Sequence, residues 1–177
     1  DVLPYFKKAE HCQAMAAGDT GFDSAIHGVG GPLNVAPVRS RYEALDRVIV
    51  AAEKLGWPHN KDYNSGTQDG FSYYQVNQKN GLRFSAKKAY LDPALHRRNL
   101  HIVTSAHVTK ILFDGHKANG VRYQRHGRTT DAFAGREVII AAGAIQSPQI
   151  LELSGIGDAK RLQDLGITLQ APLAGVG

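Results

Sequence analysis

Val2, Phe6, Ala9 and Cys12 recur on one side of a helical projection. With Pro4 in a first turn and Gly18 as a stop, they predict a helix over residues 3–17. Residues 18–31 are polar, hold five glycines and read as a loop. Pro32–Val38 alternates as a strand does, and its flanking prolines favour a sheet edge. Ser40–Gly56 carries the clearest helical pattern, with Tyr42, Leu45, Ile49, Ala52 and Leu55 on one stripe. Ser40 and Glu43 have capping-box spacing, Glu43 and Arg47 can pair across one turn, and Gly56 with Pro58 closes the element. Residues 57–69 are polar and irregular. Phe71–Gln78 reads as a strand, with Tyr74 and Val76 on one face and Tyr73, Gln75 and Asn77 on the other. Asn80-Gly81 signals a tight turn, and Ser85 can cap a short helix that stops before Pro93.

From Leu100 onward β-branched residues dominate. Strands are expected at Leu100–Ser105, His107–Phe113, Gly120–Gln124 and Glu137–Ala141, with turns at Asp114-Gly115 and Gly127. The apolar run Val138–Ala142 suits a strand covered on both faces. Ser147-Pro148 reads as the opening of a helix that ends at Gly155, and Asp158–Leu165 reads as another. The shift in composition between about residues 85 and 100 is the one domain-boundary signal. The fold class expected is α/β.

Composition narrows the function classes. The chain of 177 residues is 42% hydrophobic and 21% charged, which is globular rather than disordered. Its longest nearly apolar run, Val138–Ile145, is far below the ~18 residues of a membrane helix, so no transmembrane segment is expected. The net charge of +5 is scattered, which predicts no nucleic-acid binding and only a mild preference for anions. One cysteine, Cys12, excludes an internal disulfide and a multi-cysteine zinc site, and fits a reducing compartment. The expected location is the cytoplasm, peripheral contact with the inner membrane being left open. The start, Asp1-Val2-Leu3-Pro4, predicts no signal peptide. With Met15 the only methionine and a loop-like Ala174-Gly175-Val176-Gly177 ending, the chain reads as an internal piece of a longer protein.

Residues 143–157 carry the most chemistry. They read as a buried strand end, a glycine turn, a capped helix and a second glycine turn. A strand ending in Ala-Ala-Gly lets a flat ligand reach the backbone, and open α/β sheets bind ligands at strand carboxyl ends. The same pattern also suits a purely structural strand-to-helix joint, and the residues alone leave both readings open.

That segment, with Gly143, Ser147-Pro148 and Ser154-Gly155-Ile156-Gly157 at matching spacing, resembles a signature of the glucose-methanol-choline (GMC) family of FAD-dependent oxidoreductases. Further stretches are similar to that family in the same order. They include Val2–Glu10, His27–Leu33, Tyr73–Val76 with Asn80-Gly81, Ser85–Leu91, Arg98–Leu100, Val108–Gly115, Arg136–Ile139 and Gly175–Gly177. The resemblance covers essentially the whole chain and lies nearest to choline dehydrogenase-like and aliphatic alcohol dehydrogenases.

The resemblance implies that residues 1–84 belong to an antiparallel-sheet substrate-binding domain. It implies that residues 85–177 belong to a Rossmann-like FAD-binding domain, both incomplete. It implies that Val108 meets the adenine through its backbone and that Ala142 and Gly143 lie beside the adenosine. Tyr73, Tyr74 and Gln75 are the implied substrate-pocket residues, although strand alternation lets only one of the two tyrosines face a pocket. The Gly-x-Gly-x-x-Gly turn that holds a pyrophosphate is not found. His27–Pro32 is no substitute, because Leu33 stands where the third glycine belongs and Pro32 lacks an N–H. Gly155-Ile156-Gly157 follows a helix and reads as a helix-joining turn. No catalytic residue is assigned, and none of the eight histidines takes that role. His27 is a candidate for binding, because the glycine-rich loop it opens lies near the flavin or substrate entrance in the family. His11 and Cys12 fall on different helix faces, so no metal site is expected.

The function implied is oxidation of a primary alcohol, choline-like or aliphatic, to the aldehyde by hydride transfer to FAD. The partner is a small-molecule alcohol and the electron acceptor is left open. The isolated segment is expected to be inactive, because the pyrophosphate turn and the family's catalytic histidine lie outside it. Two alternatives stand beside this: a flavin alcohol oxidase using dioxygen, and a non-catalytic remnant or interaction module without cofactor.

Overall fold

Extended backbone replaces helix where the sequence predicts one continuous helix over 3–17. The computed structural model describes residues 1–177, which divide into two compact units, Asp1–Leu100 and His101–Gly177. In the first, helix α1 (Leu3–Ala9) gives way to strand β1 (Glu10–Cys12) and a single turn α2 (Gln13–Ala16). The cause is tertiary. Cys12 N–H donates to the Gly28 carbonyl at 2.8 Å, and Gly31 N–H to the Glu10 carbonyl at 2.9 Å. These bonds draw residues 10–12 out of the helix and outweigh its local periodicity. Cys12, Ala14 and Phe22 form the local core, with Met15 packed against them.

Strand β2 (Leu33–Pro37) pairs in parallel with β1 and antiparallel with β3 (Gln75–Val76). It is therefore central, not the edge its prolines suggest: Pro32 lies outside the strand and Pro37 is its last residue. Helix α3 spans Glu43–Lys54. Its N-cap is Tyr42 and carries no side-chain cap, so the expected Ser40–Glu43 box does not form. The helix starts instead with Glu43 and Asp46 in its first turn, which suits the positive end of the helix dipole. The Glu43–Arg47 pair does form, at 2.6 Å, and Gly56 closes the element at φ +90°. Of the apolar stripe only Ala52 is buried, whereas Leu45 and Leu55 stay exposed.

The strand expected over Phe71–Gln78 is realised only as β3 and as β4 (Gln78–Lys79), which forms a hairpin with β5 (Leu82–Arg83). Asn80 and Gly81, at φ 54° and 80°, make the predicted turn. Ser85 does not cap. A wide π turn at Lys87–Leu91 leads into a 3₁₀ turn at Asp92–Ala94. Pro93 sits in that second turn, where its missing N–H is harmless.

The second unit is built on an antiparallel meander, β6 (His107–Asp114), β7 (Lys117–Arg125) and β8 (Arg128–Phe133). Gly115 and Gly127 make the turns, as expected. β8 escapes a hydrophobicity reading because all six of its residues are exposed. Arg122 and Asp131 face each other across β7 and β8 in a two-bond pair of 2.7 and 2.8 Å. The Arg122 hydrogen bond holds the Asp131 carboxyl below the usual carboxylate range.

Leu100–Ser105 and Glu137–Ala141 are not strands. Ile139 is 79% exposed, so the run 138–142 is not covered on both faces. A strand needs a neighbour to satisfy its N–H and C=O groups, and none runs beside these residues here. Helix α4 (Gly143–Leu153) begins four residues before Ser147, so Ser147-Pro148 does not open it. Ser147 Oγ instead accepts from the Ala142 N–H at 3.1 Å, a bond to the residue that precedes the helix. Gly155 ends the helix at φ +88°. Gly155-Ile156-Gly157 is more than a joint, because β9 (Ile156–Gly157) pairs in parallel with β10 (Ala171–Pro172). Helix α5 (Ala159–Asp164) is capped by Asp158, which accepts from Arg161 N–H at 2.8 Å, and buries Leu162 completely.

Candidate functional site

In the second unit, the two elements with expected FAD contacts meet at one cleft. A cavity of about 180 Å³ is lined by Ala106, just before β6, by His107 and Val108 at its start, and by Ala142, Gln146 and Ile150 from α4 and its entry. Val108 pairs with Tyr123 and is half-buried, and Ala142 is the exposed N-cap residue of α4. Gly143, at φ +88°, has no heavy atom within 4 Å of the place a Cβ would take. The helix entry is thus open backbone, the kind of surface on which a flat heteroaromatic ring can lie.

Ser154 fixes this cleft from behind. Its Oγ accepts from the Ile111 N–H of β6 at 2.8 Å and donates to the Ile150 carbonyl of α4 at 2.6 Å. Ser154 is buried, so Ser154→Ala leaves the Ile111 N–H without a partner. We expect a loss of about 1–3 kcal/mol in thermal or denaturant unfolding, with Ser147→Ala, whose bond is exposed, costing less.

In the first unit, Tyr73, Tyr74 and Gln75 line a cavity of about 250 Å³ together with Val38, Ile49 and Arg41. Both tyrosines reach it, contrary to the alternation argument, because regular extended structure starts only at Gln75. The Tyr73 hydroxyl donates to the Tyr42 carbonyl at 3.2 Å, and the Arg41 guanidinium lies 5.1 Å from its ring centre. Tyr74 is 76% exposed and meets Tyr63 edge-on. The Gln75 side-chain amide is shielded from solvent with no partner for its oxygen or nitrogen. An amide in that state is costly unless something bonds to it.

A third constellation joins residues far apart in sequence. His27 is buried and sits between two carboxylates. Its Nδ1 lies 3.0 and 3.1 Å from the Glu10 oxygens, and its Nε2 lies 2.9 Å from Asp62 Oδ2. Glu10 also accepts from the Gly28 N–H at 2.9 Å. Burial disfavours the imidazolium, but the hydrogen bonds and charges of Glu10 and Asp62 outweigh it and raise His27 above its ordinary pKa. Cys12 is not paired with His11 as a ligand set. Its thiol joins Glu10 and His27, the ligand atoms lying within 4.8 Å of one another. Both His27 nitrogens are already engaged by carboxylates, so the cluster satisfies itself without an ion. Burial also pushes the Cys12 thiol up, away from the reactive thiolate. Glu10 and Asp62 carry no local sequence signal. They stand 17 and 35 residues from His27, and only the fold brings them together.

No helix is long and apolar enough to cross a membrane.

Residues 1–174 match the sequence profile described as GMC oxidoreductase. The chain is 39% identical to human mitochondrial choline dehydrogenase over 175 residues, 99% of this chain and 28% of that protein. It is 42% identical to the oxygen-dependent choline dehydrogenase of Staphylococcus haemolyticus, over 99% of this chain and 30% of that protein. Among solved structures, an FAD-dependent oxidoreductase from Chaetomium thermophilum superposes with TM-score 0.86 at 35% identity, covering 99% of this chain and 32% of that one. Pyridoxine 4-oxidase from Mesorbium loti superposes with TM-score 0.80 at 29% identity, covering 97% and 32%. The chain therefore spans about a third of the length of the relatives it matches.

Proposed function

Because this chain belongs to the GMC oxidoreductase family, we propose that it serves an FAD-dependent dehydrogenase oxidising a primary alcohol, choline-like or aliphatic, to the aldehyde. The observation that carries this reading is the end-to-end similarity to choline dehydrogenases at about 40% identity. In this reading residues 1–84 contribute to the substrate-binding region and residues 85–177 to the FAD-binding region. FAD, when bound, supplies the electron-accepting chemistry, and the protein supplies position and electrostatics. Val108 offers backbone donor and acceptor groups to the adenine edge, while Ala142 and Gly143 leave room beside the adenosine. The open backbone at Gly143 and the cleft that Ala142 shares with Val108 support that fit. Tyr73, Tyr74 and Gln75 shape the alcohol pocket. The Gln75 amide offers a hydrogen bond to a hydroxyl, and the tyrosine rings suit an apolar chain or a quaternary ammonium.

A second reading, an alcohol oxidase passing electrons to dioxygen, is favoured by the likeness to pyridoxine 4-oxidase. Parallel assays on the intact protein with an acceptor dye and with peroxide detection separate the two. Turnover with the dye and no peroxide supports the dehydrogenase. Peroxide formation matching alcohol consumption selects the oxidase, and no turnover with flavin absent selects a non-catalytic remnant. For the FAD contacts, Ala142→Leu crowds the cleft without touching the Ser154 bonds. We expect FAD affinity to fall about tenfold or more, worth about 1.4 kcal/mol, with an unchanged melting curve of the apoprotein. Unaltered flavin retention sinks this placement of the adenosine.

A further inference from the structure

We propose that Glu10, His27 and Asp62 form a proton-operated clasp. It holds the glycine turn 28–31 and the segment around Asp62 against β1, closed when the His27 ring carries two protons and loosened when it carries one. The clasp stands on geometry and hydrogen-bond arithmetic. An ionised carboxylate only accepts, and a neutral imidazole has one N–H to give. His27 faces a carboxylate at each nitrogen, at 3.0 Å and 2.9 Å. Both bonds therefore form together only with the imidazolium. Once the ring is neutral, one buried carboxylate faces a lone pair, and the pair separates or takes up water.

Each arm of the clasp carries a piece of backbone. Glu10 sits at the start of β1 and also accepts from the Gly28 N–H. Asp62 anchors its own turn, where its Oδ1 accepts from Asn64 N–H at 3.3 Å and its carbonyl accepts from the Ser65 hydroxyl at 2.7 Å. His27 N–H donates to the Asp23 carbonyl at 2.8 Å. Releasing His27 therefore removes the side-chain tie between these two segments and β1 and leaves the 28–31 turn on its backbone bonds alone.

The other charged and titratable groups around the ring do not replace it. From α1, the Lys7 amine bonds the Ser24 and Ala25 carbonyls at 2.6 and 3.1 Å. From β1, burial pushes the Cys12 thiol up, away from the thiolate. Asp23 in the same loop caps Ala25 N–H, and Lys61, next to Asp62, pairs with Asp19 at 2.6 Å. The Phe22 ring meets the imidazole edge-on at 5.7 Å and screens it from water. The raised pKa of His27 sets the direction. The clasp's stabilisation is complete below about pH 6.5, the value for an unfolded histidine, and is lost as pH rises through the higher folded value.

Hydrogen–deuterium exchange on the intact protein, read in peptides covering residues 19–31 and 57–66, tests this. After correction for the intrinsic exchange rate, protection in both peptides is expected to fall about tenfold between about pH 6 and about pH 9. Peptides from β6 and β7 serve as the control and should stay flat. Glu10→Gln is expected to remove the pH-dependent opening. A glutamine accepts from Gly28 N–H and donates to a neutral His27, so the two peptides should remain protected at high pH. His27→Gln carries both its N–H donors on one nitrogen and turns a carbonyl oxygen toward the other carboxylate, so it should show low, pH-independent protection. A pH-flat wild type, or a Glu10→Gln variant that opens with pH as the wild type does, overturns the clasp.

Discussion

Replacing Gly28 with alanine is expected to destabilise the Asp1–Leu100 unit by about 3 kcal/mol, at the upper end of what overpacking costs. A Cβ on Gly28 would fall on the Lys7 carbonyl, with the Lys7 backbone close on either side. Backbone cannot swing aside as a side chain can. The displacement would also pull on two bonds of the same residue, Gly28 N–H to Glu10 and Cys12 N–H to the Gly28 carbonyl. Gly30 provides the contrast. It sits at φ +90° with nothing within 4 Å of a built Cβ, so Gly30→Ala carries only conformational strain, about 1–2 kcal/mol. Melting followed by the fluorescence of Trp57, which lies in this unit, should rank Gly28→Ala well below Gly30→Ala. Equal costs would mean that the close approach of the turn to α1 is not rigid.

Gly155→Ala is expected to be the more damaging of two changes at the ends of helices α4 and α5, because two penalties coincide there. Its φ is +88°, and a Cβ would fall on the Thr168 carbonyl and lie 2.9 Å from Gln170 N. The Gly155 carbonyl also accepts from both Gln170 and Ala171 N–H groups, at 2.7 and 3.1 Å. Strain of about 1–2 kcal/mol and a clash of similar size or more add to a total of about 3–4 kcal/mol. The visible result is loss of the β9–β10 pairing, measured as faster protease cleavage around residues 167–173. Gly166→Ala, at φ +70° with open space around it, should lose only the strain part. If both variants are cut at the same rate, the Gly155 approach does not hold the segment.

The parts of this fold that the sequence makes legible are those governed by near neighbours. The Asn80-Gly81 turn, the β6–β7 hairpin around Gly115, the Glu43–Arg47 pair and the Gly155 stop all depend on residues a few positions apart, and all form. The misreadings share the opposite property. Residues 10–12 leave the helix because bonds from Gly28 and Gly31 reach them. β2 becomes central because β1 pairs with it over more than twenty positions. Val138–Ala142 has the residues of a buried strand but no strand beside it. β8 carries no apolar alternation and is fixed by its ladder and by Arg122–Asp131.

The candidate site divides in the same way. Family motifs marked Val108, Ala142 and Gly143, and the fold brings Val108 and Ala142 to one cleft. Glu10 and Asp62 could not be picked out locally, because one carboxylate among sixteen acidic residues has no distinguishing neighbour in sequence.

The long spans closed by His27 also bear on the order of folding. Its partners are 17 and 35 residues away, so both contacts require closing large loops before any reward is gained. The β6–β7–β8 meander needs only short turns. During synthesis the first half of the chain must therefore wait, with its glycine segment unanchored, until Asp62 has emerged, whereas the meander can assemble as soon as it is made. Of the two units, the one made earlier is expected to settle later, and a chaperone would find its opportunity there.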